Sequence, residues 1–283
     1  MSLLSLAAGV AFAQPYDVER DSWYFDNFET DPLTWDIYRD TFIGVPPVYD
    51  PISSVFDVLF YDNLYKNSLA KEGNCFGMSL QSLMMIKNGG HLGYCAPVNQ
   101  YSGDLVGTPT TGPTDNGLTR VINEMHGHQV HTESLRFFLD LIASGKTRDG
   151  NFAWDQVEYY KLRDDPTLVS ITKSLSPVDG GHTMAAYDAA VVGGKRRIFL
   201  YDPNRPWALD SSWYSNGNNV ITIESNGDWS FEMAGGSIWS GGLSSGGHIT
   251  ITPISVAGPR DRLPTTLGLD AVSAITQIFV FAV

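Results

Sequence analysis

The hydrophobic pattern divides the chain in two. Through the first half, apolar side chains recur at helical spacing. Over 52–70, Val55, Val58, Leu59, Tyr61 and Leu64 follow that period. Over 75–90, Met78, Leu80, Leu83, Met84 and Ile86 do the same, and Gly89-Gly90 predict the stop. The stretches "LTRVINEMHG" (118–127) and "HTESLRFFLDLIASGK" (131–146) predict two further helices, the second with Thr132 as N-cap and Gly145 as its end. Residues 16–50, rich in aromatic and acidic side chains, read as short helices and loops, and 91–117 as a Gly- and Pro-rich loop. In the second half the period shortens to two. "TLVSITKSL" at 167–175 alternates, and short strands are expected at 219–225, 227–233, 248–256 and, closing the chain, 274–283. Helices followed by strands predict an α+β fold, with a helical half over 15–150 and a β-rich half over 151–283.

One pair of strands brings chemistry with it. "HTMAAYDAAVV" and "RRIFLYDP" flank Gly193-Gly194, a hairpin signal. His182 opens one arm and Asp202 closes the other, so pairing brings them together. Asp202 and Asn204 share a face by strand parity, so either could orient the imidazole. His248, after another Gly-Gly pair and ahead of a strand, is a rival base without a matching acid.

The chain has only two cysteines. Cys75, in "GNCFGMSL", stands at the predicted start of a helix. It is a small buried apolar group, half of a bridge to Cys95, or a nucleophile. A thiol attacks strongly only as thiolate, which a helix N-terminus and a neighbouring histidine both favour. Gly73 and Gly77 beside it leave room for a substrate backbone, and the Cys75 N–H is expected to be free for an oxyanion. "HGHQVH" offers His126, His128 and His131, but no cysteine or carboxylate completes a zinc pattern, and a solvated turn is expected there.

Composition narrows the partners. A net charge of −13 over 283 residues argues against nucleic acid and against an anionic membrane surface. No apolar run reaches the ~18 residues that a membrane-spanning helix needs. Near the N-terminus, "LLSLAAGVAFAQP" has an apolar stretch and a small-x-small site. Residues 1–14 therefore read as a signal-peptide remnant or a short apolar helix, and the first reading implies a secreted or cell-envelope protein.

The order Cys, His, Asp/Asn, with "GNCFGMS", "GGHTMAAYD" and "YDPNRP" around them, resembles papain-like cysteine peptidases, most of all a C39-like, bacterial or archaeal branch. The likeness covers roughly 65–205. It implies a cleft between a helical and a β half and an acyl-enzyme mechanism on a peptide or protein substrate. Cys75 would be the nucleophile, His182 the base and acid, and Asp202 the orienter, with no metal or organic cofactor. It also implies a role for Trp207, which follows the orienting residue and would shield the pair from water. Two features depart from the family. The C-G-[SA]-C-[WY] signature is absent, and the position of the family's oxyanion glutamine falls on Leu69, leaving Asn67 or Asn74 as candidate donors. Amidase, deamidase or transglutaminase-type acyl transfer, and a non-catalytic binding module on the same fold, are the alternatives.

Overall fold

A computed structural model describes residues 16–67, 69–71, 73–105, 111–174 and 180–259. The expected N-terminal segment 1–14 and the strand at 274–283 lie outside the described residues.

The fold is α+β. In chain order come α1 (Val18–Asp21), α2 (Trp35–Thr41), α3 (Val55–Phe60), α4 (Cys75–Asn88), α5 (Asn116–Gly127), α6 (Thr132–Ala143) and α7 (Gly150–Lys161). Then follow β1 (Thr167–Thr172), β2 (Gly181–Val192), β3 (Lys195–Tyr201), α8 (Trp207–Ser215), β4 (Val220–Ile223), β5 (Trp229–Glu232), β6 (Ile238–Gly241), β7 (His248–Pro253) and α9 (Ile254–Ala257). The strands form one antiparallel sheet in the order β6-β5-β4-β3-β2-β1-β7.

α4 is the central helix. Phe76, Met78, Leu80, Leu83 and Met85 are buried, and so are Gly77, Ser79, Gln81 and Ser82 between them, so it is covered on every side. It packs on α5, β2 and β1. Gly77 permits the α5 crossing, since a Cβ there would overlap the Ile122 carbonyl oxygen. Gly89, left-handed at φ 71°, ends the helix as expected. A second, aromatic cluster under α2 and α3 joins Tyr38, Phe42, Phe60, Tyr61 and Tyr65 to Val130 and Leu135.

Several expectations need correction. The 52–70 segment is α3 followed by a π-turn over Tyr61–Tyr65, not one continuous helix. The N-cap of α6 is His131, whose ring accepts from Ser134 N–H, and not Thr132. Residues 254–257 form α9 where a strand was expected to continue. α7, α8 and β6 had no counterpart in the pattern. Of α7, only Gly150, Ala153 and Val157 are buried, a stripe too thin to stand out.

Candidate active site

Cys75 is the first residue of α4. The preceding Gly73 has φ 134°, a conformation that favours glycine, and a Cβ there would overlap the Asn27 amide. Asn74 holds the N-cap position but makes no side-chain cap bond. Its amide instead donates to Phe28 O at 3.0 Å and to Thr30 Oγ1 at 3.1 Å. The cap comes from α5, where His126 Nδ1 accepts from Gly77 N–H at 3.3 Å while Nε2 donates to Leu69 O at 2.6 Å. Burial holds the His126 pKa down at about 4, so this ring is neutral and can accept at Nδ1. The first-turn amides of Cys75 and Phe76 have no intrahelical acceptor and lie at the positive end of the helix.

The second component comes from the hairpin. Gly193 and Gly194 both have positive φ, and Val192 pairs with Lys195 across a two-residue turn. Continued without interruption, that register would set Ala185 opposite Asp202 and place His182 on the other face of the sheet. A β-bulge intervenes between Ala186 and Asp188, and Tyr187 is the extra residue. Beyond it Ala185 pairs with Tyr201, so Met184 stands opposite the Asp202 position. His182, two residues from Met184, then shares the face of Asp202. The bulge makes the pair possible.

His182 Nε2 meets Asp202 Oδ1 at 2.6 Å. The Cys75 thiol lies near enough to the same ring to act on its charge. Burial pulls the imidazole pKa down. The Asp202 charge and hydrogen bond, with smaller contributions from Cys75, overcome this and raise it to about 10. Asp202 Oδ1 also accepts from Asn204 N–H at 2.9 Å. The acid is held from behind by Tyr214, whose hydroxyl accepts from Asp202 N–H at 3.2 Å and donates to Arg205 O at 2.7 Å. Trp207 packs on Tyr214 with ring centroids 5.5 Å apart, so it supports the acid at one remove. The three side chains are buried: Cys75 is 4% exposed, His182 3% and Asp202 0%.

Asn27, on the loop after α1, ties the two parts together and was not anticipated. Its Oδ1 accepts from Asn74 N–H at 2.8 Å, its Nδ2 donates to Asn204 Oδ1 at 2.9 Å, and its own N–H donates to Pro203 O at 3.0 Å. One side chain thus clamps the loop before Cys75 to the loop after Asp202. No local sequence signal marks it, because both partners are distant along the chain.

The remaining candidates take other places. Asn74 is fully buried with its N–H groups committed to Phe28 and Thr30, so its side chain is not a free oxyanion donor. Asn67 is exposed on the turn after the π-turn. Gly77 faces α5 instead of opening a cleft, and Gly73 accommodates Asn27. Asn204 bonds Asn27, which leaves the imidazole to Asp202. Both cysteines are free thiols, Cys75 buried and Cys95 exposed, so no bridge joins them. His248 Nδ1 bonds Thr147 Oγ1 at 2.8 Å and is a strand residue of the far side of β1, not a partner of Cys75. His126, His128 and His131 are buried, not solvated, and among the described residues no group of side chains is arranged to hold a metal ion. No helix among them is long and apolar enough to cross a membrane. No family model, no curated protein and no solved structure matches this chain, so its functional reading rests on the geometry above.

Proposed function

We propose that this chain is a papain-like cysteine hydrolase that cleaves amide bonds, most naturally in a peptide or protein, through a Cys75–His182–Asp202 triad. The observation that carries the reading is the 2.6 Å contact between His182 Nε2 and Asp202, with the Cys75 thiol, at the first turn of a buried helix, near enough to act on the same ring.

In the proposed reaction the thiol proton resides on His182, whose raised pKa favours the imidazolium, and Cys75 Sγ attacks the substrate carbonyl carbon as the thiolate. The carbonyl π-bond opens onto oxygen, and the oxyanion is received by first-turn amides of α4. As the tetrahedral centre collapses, the C–N bond breaks and the imidazolium gives its proton to the leaving amine. A water molecule, deprotonated by His182, then attacks the thioester, and the carboxylic acid and the thiol are released. Asp202 keeps the ring aligned and stabilises its cationic form throughout. No donor from a side chain replaces the family glutamine in this scheme, so the oxyanion site is built from backbone.

Burial of all three side chains favours a second reading on the same fold, a binding module that has no turnover. Iodoacetamide separates the two. Selective alkylation of Cys75 at mildly acidic pH, far faster than at exposed Cys95 and abolished by His182→Ala, is expected of the enzyme. Alkylation of Cys75 no faster than a free thiol would refute it. Product analysis with and without added amine acceptors distinguishes hydrolysis from amidase, deamidase or transglutaminase-type transfer.

A further inference from the structure

At the other end of α4 lies a cavity of about 740 Å³, a size typical of small-molecule sites. Leu83 and Ile86, about 12–17 Å along the helix from Cys75 by its rise per residue, form part of its apolar lining with Val157 and Ala186. Tyr16 and Tyr187 stack flat at one wall, with centroids 5.1 Å apart and planes 3° apart. The cavity is therefore bounded by both elements that matter to the triad. α4 carries Cys75 at its far end, and Tyr187 is the extra residue of the bulge that puts His182 on the face of Asp202.

The charges around the cavity select a ligand. Arg20, Lys87 and Lys161 line it, against Asp21, Asp164, Asp165 and Asp188. Each cation is already matched: Arg20 with Asp21, Lys87 with Asp164, and Lys161 with Asp188. Asp165 accepts from Ser255 N–H at 3.1 Å and from its hydroxyl at 2.6 Å, neither of them a cation. The lining thus carries one negative charge beyond balance above an apolar floor.

We propose that this cavity is a regulatory site for an apolar amine, a molecule with a hydrophobic body and one ammonium group, which pairs with Asp165 and adjusts the triad through α4 and the Tyr187 bulge. The coupling to the triad rests on the reading of Cys75 as nucleophile; the binding site does not.

A matched series tests it: 4-phenylbutylamine, 4-phenylbutanol and 4-phenylbutyrate, titrated into the full chain by calorimetry, with Cys75 alkylation timed in parallel. The amine is expected to bind about tenfold more tightly than the acid, the scale of one excess charge at close range in a solvated setting, with the alcohol between them. Asp165→Asn, which keeps one acceptor oxygen for Ser255 and removes the charge, should erase the preference for the amine over the alcohol. The amine should also change the Cys75 alkylation rate severalfold at saturation. No saturable binding, equal binding of all three probes, or a preference untouched by Asp165→Asn would overturn the site. Binding only after residues 1–14 are removed would assign the cavity to the chain's own N-terminal segment and overturn it as well. Amine binding that leaves a reactive Cys75 unaltered would overturn the coupling. A Cys75 that is inert with and without ligand would instead defeat the nucleophile reading and leave the binding site standing.

Discussion

Replacing Asn27 by alanine isolates the clamp between the two parts of the candidate site. The substitution deletes the acceptor of Asn74 N–H and the donor to Asn204 Oδ1, while the backbone bond from Asn27 N–H to Pro203 O survives. Asn74 has no exposed surface, so its amide is left without a partner, at a cost of about 1–3 kcal/mol. The bond to Asn204 adds about 0.5–1.5 kcal/mol, reduced because Asn204 is only half-buried and water can replace part of it. The expected loss is about 2–3 kcal/mol in urea unfolding at neutral pH. A purely structural residue would stop there. The clamp predicts more: with the loops before Cys75 and after Asp202 released from one another, selective alkylation of Cys75 should fall at least tenfold in protein that is still folded. Asn27→Asp sharpens the test. A carboxylate still accepts from Asn74 N–H but cannot donate to Asn204, so stability should recover in large part and alkylation less so. A loss under about 0.5 kcal/mol with an unchanged alkylation rate would show that Asn27 occupies the junction without holding it, and would refute the reasoning.

Three further outcomes are expected. The His182 pKa is raised from 6.5 to about 10, so the stability it contributes is complete below about pH 6.5 and is lost as pH rises toward 10; unfolding free energies from pH 6 to 10.5 should fall for the native chain and less steeply for His182→Gln. The buried His126 pKa is lowered to about 4 by burial, so the unfolded chain takes up the proton first and stability should decline from about pH 6.5 down to 4, a slope that His126→Gln reduces when measured by the same unfolding series. Gly77→Ala would drive a methyl into the Ile122 carbonyl and force α4 from α5, costing about 1–3 kcal/mol or more, and circular dichroism melting should show a lowered midpoint; a wild-type midpoint would contradict the packing described.

What the sequence discloses of this site, and what it hides, follows from the range of each interaction. The start of α4 and its stop at Gly89 are local, and so is the Gly193-Gly194 turn, so those were legible. Asp149 capping α7 was equally local, but the helix buries too thin a stripe for its period to show. Asn74 looked like a free donor because nothing near it in sequence reveals that Phe28 and Thr30 claim its amide. The hairpin is the instructive case. A two-residue turn between the two strands suggests that His182 and Asp202 meet, yet strict pairing from that turn sets Ala185 opposite Asp202 and leaves His182 on the other face. The meeting depends on one extra residue, Tyr187, held by its stack on Tyr16 and by its hydroxyl, which accepts from Asn219 Nδ2. Neither contact lies within the hairpin. Deleting Tyr187 should therefore close the bulge and keep Ala185 opposite Tyr201 and His182 on the face of Asp202, whereas Tyr187→Thr, which loses both anchoring contacts but keeps the residue, should favour the uninterrupted register and separate the imidazole from its acid, because one residue of register decides which side of the sheet the ring occupies.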